Sequence, residues 1–266
     1  MSRHPLSRRQ FLTLSLALVL TPVARVWAEP QRRRGLYDVD VGLLYNAVTL
    51  DLEGTIDEMV DATAGRYQVT VVGQGARVNN RIASEGVRRD GRWAPERAVA
   101  WFQVAGREYR TELVYDYERQ TVHYQYRGET FFLRRLRTAD DLVTIPPGVH
   151  LDDGLSATLN YAEDRWPPEP DGIYRTYVVR RRRPENEGPD DVQRFYRAEV
   201  APLELRVGRD PETGKPSADV DLTPFSSWAR QSRPGRVVFD TNRRPATILA
   251  ALMLGTSVTV RIKRTA

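Results

Sequence analysis

The stretch from Arg107 to Arg127, REYRTELVYDYERQTVHYQYR, constrains the fold more than any other. Tyr109, Leu113 and Tyr115 fall on one face, with Arg110 and Glu112 opposite. After a polar turn, Val122, Tyr124 and Tyr126 face away from Thr121, His123 and Gln125. A side-chain period of two marks a half-buried antiparallel strand, so the stretch reads as a hairpin with one apolar, aromatic face.

The same pattern recurs along the chain. Tyr37, Val39 and Val41 alternate with Asp38 and Asp40, and Val48, Leu50 and Leu52 with Thr49 and Asp51, which predicts an opening hairpin. Tyr67 to Gly73, Ala98 to Val104, Thr130 to Leu136, Ile173 to Arg180 and Leu203 to Val207 read as further strands, as do three segments after Val237. Val78 and Ile82, four apart, predict a helical turn within Gly75 to Ser84. Asp140 to Pro147 reads as a connection stiffened by two prolines. Asp153-Gly154-Leu155-Ser156 opens a short helix over Ala157 to Glu163, with Leu155 and Leu159 on one stripe. The Pro- and Gly-rich segments Pro184 to Asp191 and Gly208 to Ser217 read as exposed hairpin tips. The fold class predicted is mainly β: a curved, incompletely closed antiparallel sheet, half-barrel-like, with one or two short helices.

The N-terminus reads as an address. Arg8-Arg9 followed by Phe11-Leu12 matches the twin-arginine export signal, and a moderately apolar run leads to a cleavage point after Ala28. An ordinary secretory leader with two incidental arginines is the alternative. On either reading the mature protein is exported to the periplasm by the export machinery. The chain then divides into a signal peptide (1–28), a flexible basic arm (29–35) and a single all-β domain (36–264). No apolar run is long enough for a transmembrane segment.

Removing the leader changes the charge argument. The chain carries 40 basic and 35 acidic residues, a net +5. The leader holds four of the arginines and no acid, so the mature chain is close to neutral and nucleic acid is not an expected partner. Two basic clusters, Arg32 to Arg34 and Arg180 to Arg183, read as solvated runs. The chain has no cysteine, which excludes disulfides and thiol chemistry and leaves stability to the core.

Catalytic constellations are missing. His123 and His150 lack metal-ligand spacing and read as surface histidines, so no metal and no cofactor is expected. There is no nucleophile elbow and no phosphate loop. Asp152-Asp153 and Asp190-Asp191 read as turn residues rather than acid/base pairs.

Several weak motifs, taken in order, resemble the family called domain of unknown function 3108. They are Tyr37-Asp38-Val39 with Gly42, Ser84-Glu85-Gly86, Trp93-x-Pro95, the central hairpin, Asp153-x-Leu155-Ser156, and Phe239 to Pro245 before the Gly255 turn. The chain departs from the family at Gly154, where a proline is common, and in its long loop tips. The resemblance implies an exported bacterial protein of one domain. Its general look is similar to periplasmic lipoprotein carriers, in which a short helix lies against the hollow of a curved sheet.

These readings lead to a soluble, non-enzymatic protein that binds an apolar or amphipathic envelope molecule, such as a lipid or lipid-linked ligand. Tyr109, Leu113, Tyr115, Val122, Tyr124 and Tyr126 are the expected ligand-facing residues. A bland reading makes that face ordinary core. The alternatives for function are an envelope assembly protein using an edge strand, and an enzyme acting on envelope carbohydrate.

Overall fold

The structure is a computed structural model, and it describes residues 29–43, 45, 47–130, 132–184, 187–188, 190–229 and 232–265. The expected leader, with Arg8, Arg9, Phe11, Leu12 and the expected cleavage point at Ala28, lies outside the described residues.

Strands dominate. The first wing of the sheet is a meander of β1 (Gln31–Leu43), β2 (Val48–Asp61), β3 (Arg66–Gln74), β4 (Val78–Arg89), β5 (Arg92–Val104), β6 (Arg107–Asp116), β7 (Thr121–Glu129) and β8 (Leu136–Thr144). The second wing holds β9 (Leu151–Asp152), β10 (Tyr174–Arg181), β11 (Ala198–Arg209), β12 (Pro216–Val220), β13 (Gly235–Phe239), β14 (Pro245–Ala251) and β15 (Ser257–Thr265). The wings join where β1 pairs with β15, giving one 15-stranded sheet with β8 at one end and β9 at the other. All neighbours are antiparallel except β9 and β10. The single α-helix among the described residues, α1 (Gly154–Ala162), follows β9.

Chain connectivity requires this sheet to curl. Laid flat, fourteen strand spacings of about 4.8 Å would separate β8 from β9 by about 67 Å. Residues 145–150 must bridge that gap, and such a segment reaches at most about 25 Å. The ends therefore face each other, and Ala139 of β8 packs in one cluster with Leu113, Val122 and Tyr124 of the first wing and Val179 of the second.

The sheet does not close into a barrel: side chains, and not a ladder, tie β8 to the second wing. The Asp141 carboxylate on β8 accepts the backbone N–H of Ala198 on β11 at 2.9 Å and an N–H of Arg197 at 3.0 Å. Arg137, also on β8, donates to the carbonyl of Asp191 at 2.7 Å and of Gly188 at 3.0 Å.

Helix α1 sits inside the curl. Asp153 caps it, accepting the N–H groups of Leu155 and Ser156, while the Ser156 hydroxyl accepts the N–H of Asp153. This reciprocal cap fixes the start of a helix too short to be stable alone. Asn160 then docks the helix on β5: its amide oxygen accepts the N–H of Trp93 at 2.7 Å and its NH₂ donates to the Trp93 carbonyl at 2.8 Å. Leu159 packs with Val60, Tyr67 and Trp93, and Ala157 and Tyr161 pack on the opposite side with Trp166, Ala218 and Phe239.

Several expectations are corrected. The strand expected over Thr130 to Leu136 is instead the connection between β7 and β8, with a turn at Phe132 and Leu133. The basic arm begins β1 at Gln31, because Arg33 pairs with Glu58 and Arg34 with Asp57 on the neighbouring strand. Residues 78–84 form a strand, not a helical turn. Of the connection expected over Asp140 to Pro147, residues 140–144 belong to β8, which starts at Leu136, and only Ile145 to Pro147 follow it. Arg181 and Arg183 are not solvated: both clamp the buried carboxylate of Glu187. Asp152-Asp153 is not an exposed turn but the centre of a buried polar network.

Candidate functional site

Seven strands, from β14 through β15 and β1 to β5, turn apolar faces toward α1. Six strand spacings make this concave face about 29 Å wide. A nine-residue helix is about 14 Å long and about 10 Å across. It cannot cover such a face, and a cavity of about 520 Å³ remains beside it.

The wall is built from short, branched side chains at alternate positions: Val39 and Val41 of β1, Val69 and Val71 of β3, Val258 and Val260 of β15. Leu155 and Leu159 of α1 form one boundary, and Phe102 and Val104 of β5 another. Val41, Ile56, Ile82, Val104 and Val260 are only half-buried although they face inward. Apolar side chains left partly accessible inside a fold mark a binding hollow more than a finished core.

Tyr37 lies flat on this wall. The sequence permits it because Gly54 and Gly73 stand beneath the ring: a Cβ on Gly54 would come within 2.5 Å of Tyr37 Cε1, and one on Gly73 within 2.3 Å of its hydroxyl. The hydroxyl donates to Asn80 Oδ1 at 2.6 Å. Burial raises the Tyr37 pKa above its ordinary value, so the phenol stays neutral.

One end of the hollow is charged. Glu58 accepts from Arg33 at 2.9 Å and also from Arg244, and both Glu58 and Arg244 are almost fully buried. Burying a carboxylate beside an apolar space is tolerable only with such partners.

The buried polar network lies behind α1. Asp152 is fully buried and accepts four hydrogen bonds, from Ser156, Asn160, Arg92 and Thr176. Ser84 donates to Asp153, and Tyr67 shares a hydrogen bond with Ser84. Burial pushes the Asp153 carboxyl up to about 6, against the lowering effect of bonds from Ser84, Ser156 and Leu155. These carboxylates hold β5, β9, β10 and α1 together.

Asp190 accepts the N–H groups of Phe132 and Leu133, and Asp191 accepts that of Gly188. His123 lies exposed beside Asp140, at 2.7 Å. His150, expected at the surface, is instead largely buried, with Nε2 at 3.1 Å from the Trp93 carbonyl. Among the described residues, no group of three or more His, Cys, Asp or Glu is placed to hold a metal ion.

The six residues expected to face a ligand divide. Leu113, Tyr115, Val122 and Tyr124 are buried in the cluster that joins the sheet ends. Tyr109, Tyr124 and Tyr126 line a second cavity, of about 370 Å³, with Arg137, Arg181 and Trp228. Burial pushes Tyr109 up to about 12, and the Arg181 guanidinium lies 4.3 Å over the Tyr196 ring. None of the six lines the larger hollow. Its residues were visible in the sequence as alternating valines and a two-leucine helix stripe, but their aliphatic pattern is what any strand core shows.

No family model matches the chain. No curated protein matches it. Among solved structures, it is similar to a beta-barrel-like protein of domain of unknown function DUF1849 from Brucella abortus. That similarity runs at 12% identity over 88% of this chain and 98% of that one, with a TM-score of 0.43. Similarity at this level assigns neither ligand nor activity.

Proposed function

We propose that the chain is an exported, periplasmic, non-enzymatic binding protein that holds an apolar or amphipathic envelope molecule inside its curled sheet. The observation that carries this reading is the hollow of about 520 Å³ beside α1, walled by half-buried valines and isoleucines. Its size lies within the roughly 300–1,000 Å³ of small-molecule sites. The polar groups at its edge are engaged with one another: Tyr37 with Asn80, and Glu58 with Arg33 and Arg244. Such a space offers a ligand apolar contact rather than a nucleophile or a general base. Export by the twin-arginine signal at Arg8-Arg9, and kinship with the domain of unknown function 3108 family, belong to the same reading.

Native mass spectrometry of the purified mature chain tests it. A small-molecule adduct that is lost on solvent extraction and regained on adding lipid is expected. A bare mass, with no uptake of any apolar compound after extraction, would overturn the reading.

A second reading rests on β8, the end strand of the first wing. Leu142 is 64% exposed there, with Leu136 and Phe132 also exposed nearby. An exposed apolar end strand suits an envelope assembly protein that pairs with a partner strand. Crosslinking from Leu142 to a specific envelope protein would support this reading, and a monomer that crosslinks to nothing would oppose it.

A further inference from the structure

Beyond the charged end of the hollow lies a second cleft, formed by the start of β1, the end of α1 and the turn before β14. Three arginines line it, Arg33, Arg243 and Arg244, with Glu163; Arg33 and Arg244 share the carboxylate of Glu58, and Arg243 meets that of Asp164. Arg244 also lines the apolar hollow, so a single side chain borders both spaces. Glu163 is already engaged, accepting from the Trp93 indole N–H at 2.9 Å and from Arg165 at 2.8 Å.

Arg243 is held over the Tyr161 ring at 4.3 Å and donates to Asp164 through one nitrogen. Its Nε and Nη2 atoms are covered by the Tyr161 ring and meet no acceptor at ordinary hydrogen-bond geometry among the described residues, while the side chain as a whole is 29% exposed. Buried donors on a charged group are costly when left unpaired, so such a pair marks a place where an acceptor belongs.

The hollow also limits what reaches this cleft. A space of about 520 Å³ lies within the range of small-molecule sites and suits one acyl chain.

Resting on the binding reading above, we infer that the occupant is a single-chain amphiphile with an anionic head: the chain lies in the apolar hollow and the carboxylate or phosphate meets Arg33, Arg243 and Arg244. The competing account is that these arginines merely complement the negative C-terminal end of α1.

Competitive displacement of a fluorescent apolar probe from the full mature chain separates the two. The ligands are palmitate, palmitoyl lysophosphatidylglycerol and monopalmitoylglycerol, which share a chain and differ in head. Both anions should bind about tenfold more tightly than the neutral glyceride at low salt, with the difference shrinking as salt rises. A preference for only one anion also supports the inference and identifies the head as carboxylate or phosphate. Arg33→Gln combined with Arg243→Gln should abolish the preference, bringing the affinities of both anions down to that of the glyceride measured on the same variant. Arg33→Gln alone, at a half-exposed side chain, should reduce the preference if the double variant folds poorly. Equal affinity for all three ligands would overturn the headgroup inference and leave the binding reading intact. A preference that survives both substitutions would overturn the assignment to these arginines. Failure of every ligand to bind would overturn both readings.

Discussion

The carboxylate of Asp141 on β8 accepts the backbone N–H of Ala198 on β11, at 2.9 Å, and so ties the end strand of the first wing to the second wing by a side chain and not by a ladder. Arg197 adds a second bond to the same carboxylate, but its own side chain is 75% exposed. Asp141→Ala should therefore cost about 1.5–3 kcal/mol, the range for a hydrogen bond to a charged group, and Arg197→Ala less than about 0.5 kcal/mol. Urea unfolding of the two variants checks the difference. Equal losses would mean that the ion pair, and not the backbone contact, holds the seam.

Asp153 predicts a pH dependence with a definite sign. Burial raises its folded pKa to about 6, above the value of about 3.9 in an unfolded chain. Between these values the folded state binds more protons than the unfolded state. Its contribution is thus fully present below about pH 4 and is lost as pH rises to about 6. Asparagine keeps the helix cap and cannot ionise. The stability difference between Asp153→Asn and the parent should grow in favour of the variant across that window and then level off. Thermal melts at matched pH values test this, and a flat difference would refute it.

Glu58 and Arg244 form a buried pair across 186 residues of chain, joining β2 to the turn before β14. Removing one partner leaves a buried charge, so Glu58→Leu should destabilise by about 3–5 kcal/mol. Glu58→Leu with Arg244→Met removes both charges and should cost much less. A double variant as unstable as the single would show that packing, not charge, sets the cost.

The sheet was legible in the sequence wherever one face of a strand is purely apolar, as at Tyr37, Val39 and Val41. It was hidden where the inward face carries polar residues. In β4 the inward positions are Val78, Asn80, Ile82 and Ser84, and the two polar members broke the alternation. Both are satisfied only by distant partners, Asn80 by Tyr37 and Ser84 by Asp153 and Tyr67. In β8 the inward residues Arg137 and Asp141 look like loop chemistry until the far end of the sheet arrives to meet them. The larger hollow was not legible for a related reason. Periodicity tells which side chains point inward but not what lies across from them. Tyr115 and Tyr124 meet the opposite wing and are packed, Tyr109, Tyr124 and Tyr126 border the smaller cavity, and the valines of β1, β3 and β15 face a short helix across the larger one.

The proposed leader makes a separate prediction. Replacing Arg8 and Arg9 together by lysine should stop export through the twin-arginine route, because that receptor reads the paired guanidiniums. An ordinary secretory leader tolerates lysine, which keeps the charge. Fractionation of cells expressing the variant decides: retention in the cytoplasm supports the twin-arginine reading, and unchanged export contradicts it.

The most direct test blocks the hollow. Val260 on β15 faces it and is half-buried, so Val260→Trp should fill the space without displacing a packed neighbour. Titration with N-phenylnaphthylamine should give saturable binding to one site on the parent chain, and an affinity at least about tenfold weaker for a variant that melts at the same temperature. No saturable binding to the parent, or equal binding by both, would contradict the claim that this curled sheet encloses a ligand site.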